Sequence, residues 1–249
     1  MSERTWLYLK IYPGSLVQLD RVIVTVALRI VHEYAVEIER WHYLRFVDGD
    51  GPHVRFRCLI HLDAADAIVS NLGRLEEQAG SQTRIDVGYY DPEVRKWGRG
   101  DDLRLAEVQF QLASECAAML ISSRTSQRIR RAACEFAFTS MCDVLLLDQN
   151  SKVAFFETHA RWWLGSADLR AAAARVSMPR SGHVPKAFVV GVQDLVCDFR
   201  SWRQRHSKPE RLVYFAHHLI HLLNNRLGLS PAEEGELAAS LWNRAQLSD

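Results

Sequence analysis

The chain lacks any stretch near the roughly 20 consecutive apolar residues that a membrane-spanning helix requires. Its opening, Met1-Ser2-Glu3-Arg4-Thr5-Trp6, has no apolar signal core. Cysteine is sparse: five residues (58, 116, 134, 142 and 197), odd in number, scattered and without a CxxC pair. That argues against a disulfide frame or a Cys-type zinc site and fits the reduced thiols of a cytosolic protein. No sign of charge dominates. The 31 basic and 30 acidic residues leave a net +1, so no global field draws in nucleic acid or an anionic membrane. Lysine is thin as well: positions 10, 96, 152, 186 and 208 account for five of the 31, leaving 31 − 5 = 26 arginines. There is no internal repeat, no low-complexity run and no HExxH pattern.

What is present is an ordinary globular composition, 48% hydrophobic and 24% charged over 249 residues, ample for a core. Residues 5–12 read as a strand stopped by Pro13-Gly14. Ser15 can cap a helix over 16–38, with Leu16, Leu19, Val22, Ile23, Val26 and Ile30 at helical spacing. Trp41 to Val47 and His53 to Leu62 read as a hairpin around the turn cluster Asp48-Gly49-Asp50-Gly51-Pro52. A helix over 63–78 and a strand over 83–90 complete β-α-β-β-α-β, the split arrangement with an antiparallel sheet and two helices on one face. The region 101–249 reads as helical, with helices near 126–147, 186–205, 209–227 and 231–246. The segment 165–185 reads as a mobile loop. The expectation is an α+β chain: a ferredoxin-like sheet region (1–100) with a helical region (101–249) packed on it as one compact unit. RNA-recognition domains share the element order, but their aromatic signature on the third strand is absent from Val54-Arg55-Phe56-Arg57-Cys58.

Within His53-Val54-Arg55-Phe56-Arg57, alternation puts His53, Arg55 and Arg57 on one strand face and Val54, Phe56 and Cys58 on the other. Two guanidinium groups about 7 Å apart, from the ~3.3–3.4 Å rise per residue, can hold a carboxylate or several carbonyls. A solvated sheet face reads the same way on this pattern alone. Two later stretches bear on the choice: Tyr90-Asp91-Pro92-Glu93-Val94-Arg95-Lys96-Trp97-Gly98, leading into 105–115, and His217-His218-Leu219-Ile220-His221-Leu222-Leu223-Asn224-Asn225-Arg226. With the opening Trp6-Leu7-Tyr8-Leu9-Lys10-Ile11-Tyr12-Pro13, these stand in an order that resembles the C-terminal domain of class I lanthipeptide dehydratases and its stand-alone relatives in thiopeptide biosynthesis. At 249 residues the chain is expected to lack the tRNA-dependent glutamylation domain of full dehydratases.

The resemblance implies action on a ribosomal precursor peptide, leader plus dehydrated core, with no metal or organic cofactor. One family activity is glutamate elimination from glutamylated Ser or Thr, giving dehydroalanine or dehydrobutyrine. The other is a formal [4+2] cycloaddition of two dehydroalanines that closes a pyridine-type macrocycle and releases the leader. A third reading is an inactive member that binds the precursor or scaffolds a partner enzyme. Other biosynthetic enzymes and a second copy of the chain are compatible partners. By resemblance the catalytic candidates are His221, Arg55, Arg57 and Tyr90, and the substrate-binding candidates are Arg45, His53, Glu93, Lys96, Asn225 and Arg226. Lys96 stands where the elimination pattern has Arg, Trp97 replaces Tyr, Arg99 replaces Gly and Ala113 replaces Asp. Lys offers no planar fork to a carboxylate, which tilts the expectation toward cycloaddition.

His217 and His221 at i, i+4 share a helix face, but a zinc site needs a third ligand. Partly buried, hydrogen-bonded histidines are the plainer alternative. His221 as a neutral-pH general acid/base is the functional one. Glu93 is expected to orient a cation, and Glu107 either to pair with an arginine or to be solvated. Tyr43 and the Trp162-Trp163 pair are expected in the core.

Overall fold

A computed structural model describes residues 3–145, 147–176, 184–205 and 209–247. It divides into two compact units, Met1–Ser122 and Ser123–Asp249.

In the first unit, β1 (Arg4–Tyr12), β2 (Ile38–Asp48), β3 (Gly51–His61) and β4 (Arg84–Gly88) form one antiparallel sheet in the order β2-β3-β1-β4. This is the split βαβ order. Strand alternation sorts the side chains. Leu9, Ile11, Val54, Phe56, Cys58 and Ile60 are completely buried on the helix-bearing face. Tyr8, Lys10, His53, Arg55 and Arg57 lie on the other.

The first helical stretch is shorter than expected. It runs through α1 (Leu19–Val22), a π-helical turn (Ile23–Ala27) and α2 (Leu28–Glu33), then ends at Tyr34, whose carbonyl accepts from the Glu37 and Ile38 amides. The apolar periodicity stops at Ile30, and Val36 stands almost wholly in solvent. The expected helix over 63–78 is instead two, α3 (Leu62–Ser70) and α4 (Leu72–Ala79). The break is at Asn71, whose side-chain amide donates to the Ala67 carbonyl, local bonding that competes with the helix.

After a single turn, α5 (Val94–Trp97), the long α6 (Asp101–Ser122) lies along the β2 edge. There the Tyr43 amide donates to Ser114 Oγ (3.2 Å) and the Trp41 amide to Gln111 Oε1 (3.4 Å). Side chains of α6 thus take up donors that a fifth strand would otherwise meet.

The second unit is helical among its described residues: α7 (Gln127–Val144), α8 (Gln149–Leu164), α9 (Leu169–Ala174), α10 (Lys186–Arg205), α11 (Pro209–Leu227) and α12 (Pro231–Gln246). Helix α9 falls inside the segment expected to be a loop, started by Asp168, which accepts from the Arg170 and Ala171 amides. Residues 177–183 of that segment lie outside the described residues. Helix α12 begins with a complete capping box, Ser230 and Glu233, with Pro231 in its first turn. Its Gly235 lies against α8: a Cβ there would meet Leu164 Cγ at 2.8 Å and Trp163 Cβ at 3.0 Å.

Candidate active site

Among the described residues, a cluster of chemically capable side chains stands out in each unit. On the sheet, Arg57 lies opposite Tyr8 of β1, and Tyr8 in turn lies opposite Gly88 of β4. The Tyr8 ring occupies the space a side chain at 88 would fill, since a Cβ there would sit 2.7 Å from Tyr8 Cδ1. The Arg57 guanidinium carbon is 4.6 Å from the Tyr8 ring centre and 5.2 Å from that of Tyr90, a cation–π setting. Arg57 Nε is buried without a hydrogen-bond partner, and no described carboxylate pairs with this guanidinium. Burial draws its pKa down, opposed by Tyr8, Tyr90 and the Glu93 carboxylate; an arginine stays protonated regardless.

Arg55 lies with its guanidinium carbon 3.2 Å from the Phe46 ring centre and donates from Nε to His53 Nε2 (3.4 Å). His53 is completely buried, with Nδ1 3.2 Å from the Gly51 carbonyl. Accepting at Nε2 makes Nδ1 the donor, and burial holds the ring neutral by lowering its pKa. His53 therefore aims Arg55.

Tyr90 Oη donates to Glu107 Oε1 at 3.5 Å, and Glu107 Oε2 accepts from Arg40 at 2.8 Å. Burial raises the Tyr90 pKa, assisted by Glu107, so the phenol stays neutral. Burial also raises Glu107, opposed by Arg40. Lys96 is occupied locally: Nζ lies 3.8 Å from Glu93 Oε2, which also accepts from Trp97 Nε1 at 3.1 Å.

In the helical unit, four side chains form a buried chain of contacts. His217 Nδ1 lies 2.9 Å from His159 Nδ1, and His159 Nε2 lies 2.6 Å from Glu234 Oε1. Glu234 Oε2 lies 2.8 Å from His221 Nδ1. His159 and Glu234 are completely buried. Only His221 is substantially open, its side chain 25% exposed beside the Trp163 ring. Burial opposes ionisation of Glu234, but bonds from His159 and His221 prevail and hold its pKa at about 2. The first turn of α12 adds the positive end of a helix. His217, stacked on Phe155 at 4.0 Å between centres, is pushed down to about 3, chiefly by burial. Its Nε2 is buried without a partner.

A family model for the lantibiotic biosynthesis dehydratase C-terminal region matches residues 6–245. The chain belongs to that family. No curated protein sequence matches it at a significant level. Solved structures with the same fold include the tRNA-dependent lantibiotic dehydratase MibB from Microbispora sp. 107891 (TM-score 0.67, 20% identity), where 98% of this chain is covered but only 28% of MibB. TsrL gives 0.66 at 18% identity, covering 100% of this chain and 95% of TsrL. The pyridine synthase TbtD, from thiomuracin biosynthesis, gives 0.65 at 15%, covering 99% and 98%.

In this member of the lantibiotic dehydratase C-terminal family, Arg55, Arg57, His53 and Tyr90 fall in the sheet cluster, with Glu93 and Lys96 paired to each other after β4. Arg45 does not join them. Its partner across the hairpin is Val54, which puts it on the helix-bearing face, bound to Asp20 at 2.5 Å. On α11, Arg226 is completely buried and donates to the Leu222 carbonyl. Asn225 is partly exposed, whereas its neighbour Asn224 is completely buried with both amide atoms lacking a partner. The sequence reading missed Tyr8, His159 and Glu234. The available signal for Glu234 was a second glutamate directly after a capping-box glutamate.

Proposed function

We propose that the protein modifies a ribosomally made precursor peptide by formal [4+2] cycloaddition of two dehydroalanines, closing a pyridine-type macrocycle with loss of water and release of the leader. The observation that carries this reading is Arg57, buried with no described carboxylate in ion-pair contact and lying over the rings of Tyr8 and Tyr90. Flat ring walls suit planar, conjugated dehydroalanine amides, and a guanidinium among them can polarise the amide carbonyl that becomes the 2-azadiene. Arg55, aimed by His53, supplies a second set of donors. The remainder is positioning, since holding two alkene-bearing segments together removes much of the entropic barrier. In the helical unit His221 takes the proton-transfer role in the loss of water and leader amide. The leader adds as a strand at β4, because α6 already takes the Trp41 and Tyr43 amides in the middle of the β2 edge. The pyridine synthase TbtD, among the similar structures, is consistent with this chemistry.

Glutamate elimination is the second reading. It is favoured by Arg55 and Arg57 having no described carboxylate in ion-pair contact, a place an anionic glutamyl group would fill; Lys96, engaged by Glu93, weakens it. Mass spectrometry on two leader-bearing precursors separates the readings. One carries glutamyl-Ser and the other two correctly spaced dehydroalanines. A macrocycle with free leader from the second supports cycloaddition. Loss of glutamate from the first, with the second untouched, replaces it with elimination. Binding of both without turnover leaves a peptide-binding scaffold.

A further inference from the structure

His221 is one end of a chain whose other members have no role in the reaction as described so far. Its Nδ1 faces Glu234 Oε2 at 2.8 Å, and the other carboxylate oxygen faces His159 Nε2 at 2.6 Å. An ionised carboxylate only accepts hydrogen bonds. Both facing ring nitrogens must therefore carry N–H. His159, when neutral, then has a lone pair at Nδ1, so the proton in its 2.9 Å contact belongs to His217 Nδ1. That leaves His217 Nε2 bare, in agreement with its burial without a partner. One charge thus sets the tautomers of three rings.

The local sequence holds that charge in place. Glu233 is turned to the Ser230 cap and to Arg131 (2.6 Å). The next residue, Glu234, points the opposite way, into the interior. Gly235 admits Leu164 and Trp163 of α8 at a distance no side chain would permit, which brings α12 and the His159-bearing helix together.

We propose that Glu234 is the positioning residue of His221: it fixes N–H at Nδ1 and leaves a bare Nε2 on the open side of the ring, while His159, backed by His217, fixes the carboxylate. The inference rests on the proton-transfer role of His221. In the reaction, Nε2 takes a proton from the substrate, the imidazolium is paired with the Glu234 carboxylate, and the same proton passes to the departing water or leader amide. Glu234 touches no reacting atom.

The test uses full-length protein with ¹⁵N-labelled histidine and long-range ¹H–¹⁵N correlation at neutral pH, the His221 signals being identified by their loss in His221→Gln. The wild type is expected to show His221 with N–H at Nδ1. Glu234→Gln keeps the shape but offers one acceptor and one donor, so His159 or His221 must change tautomer. With the dehydroalanine precursor, kcat should fall about 10²-fold or more, the scale of general acid–base catalysis, while KM changes little. Wild-type His221 with N–H at Nε2 overturns the proposal without any variant having to fold. Undiminished kcat in a folded Glu234→Gln protein overturns it as well. Wild-type protein that turns over neither precursor defeats the reaction reading instead, and the spectrum still decides whether Glu234 sets the ring.

Discussion

Replacing His217 by Phe should make the protein less sensitive to mild acid. Burial, aided by His159 and His218 and opposed by Glu234, keeps His217 neutral down to about pH 3, against 6.5 in an unfolded chain. Its folded pKa is depressed. Between these values the unfolded chain binds the extra proton, so this contribution to stability is complete above pH 6.5 and shrinks as pH falls toward 3. Working the two-state expression from pH 7 to pH 5, the unfolded population of protonated His217 alone removes about 2 kcal/mol. Glu234, low at about 2 against 4.5, contributes mainly below that window. His53, also depressed by burial, is common to both proteins and cancels. Phe preserves the stack on Phe155 (interplanar angle 10°) and forfeits the bond to His159. Urea unfolding at the two pH values can be followed by tryptophan fluorescence, Trp162 lying 4.9 Å from the His217 ring. The wild type should lose about 2 kcal/mol more than His217→Phe between pH 7 and pH 5. Equal losses would refute the assignment of His217 as a buried neutral ring.

Four further outcomes can be checked directly. Arg57→Lys keeps the charge but loses the flat fork lying over the Tyr8 and Tyr90 rings; turnover of the preferred precursor should drop about tenfold or more while the urea midpoint moves little, corresponding to about 1.4 kcal/mol in the transition state. Gly88→Ala forces the Tyr8 ring off β4 and should cost about 1–3 kcal/mol, read as a shift of the urea midpoint, with activity falling further than stability predicts. Gly235→Ala pushes α12 from α8 and should cost a similar ~1–3 kcal/mol, with histidine tautomer signals disturbed. Cys197 alone is exposed, and burial lifts Cys58 and Cys142 to about 12; a thiol reagent should therefore label one cysteine rapidly in native protein and the other four after unfolding.

The sheet was readable because its signals are local: Pro13-Gly14, the turn cluster at 48–52, and period-two strands whose buried face is unbroken from Val54 to Ile60. The caps at Pro209 and Ser230-Pro231 likewise mark helix starts that the structure keeps. Breaks inside helices were harder to see. The π-helical turn at 23–27 keeps Ile23, Val26 and Ala27 buried, so hydrophobic spacing does not reveal it, and Asn71 interrupts 62–79 through its own side chain. Arg55 and Arg57 were visible because two residues of one strand share a face without help from elsewhere. The face of Arg45 was not legible in its own strand, because it depends on pairing with Val54. Glu234 and His159 meet across 75 residues of sequence. Nothing at either position announces the other, and a glutamate in a first helical turn already has an adequate local explanation.

The covering of the β2 edge by α6 has a consequence for how this protein can go wrong. A sheet with two bare edges can template itself without end, each added chain presenting a fresh edge to the next. Here Ser114 and Gln111 occupy one side. On the other side Glu76 already accepts from the Ile85 amide at 2.6 Å, leaving the exposed Val87 as the open part of β4. Backbone pairing between copies through β4 would use up that stretch on each. The Trp41 and Tyr43 amides, already held by α6, deny a second pairing at the middle of β2 and so work against open-ended growth of the sheet.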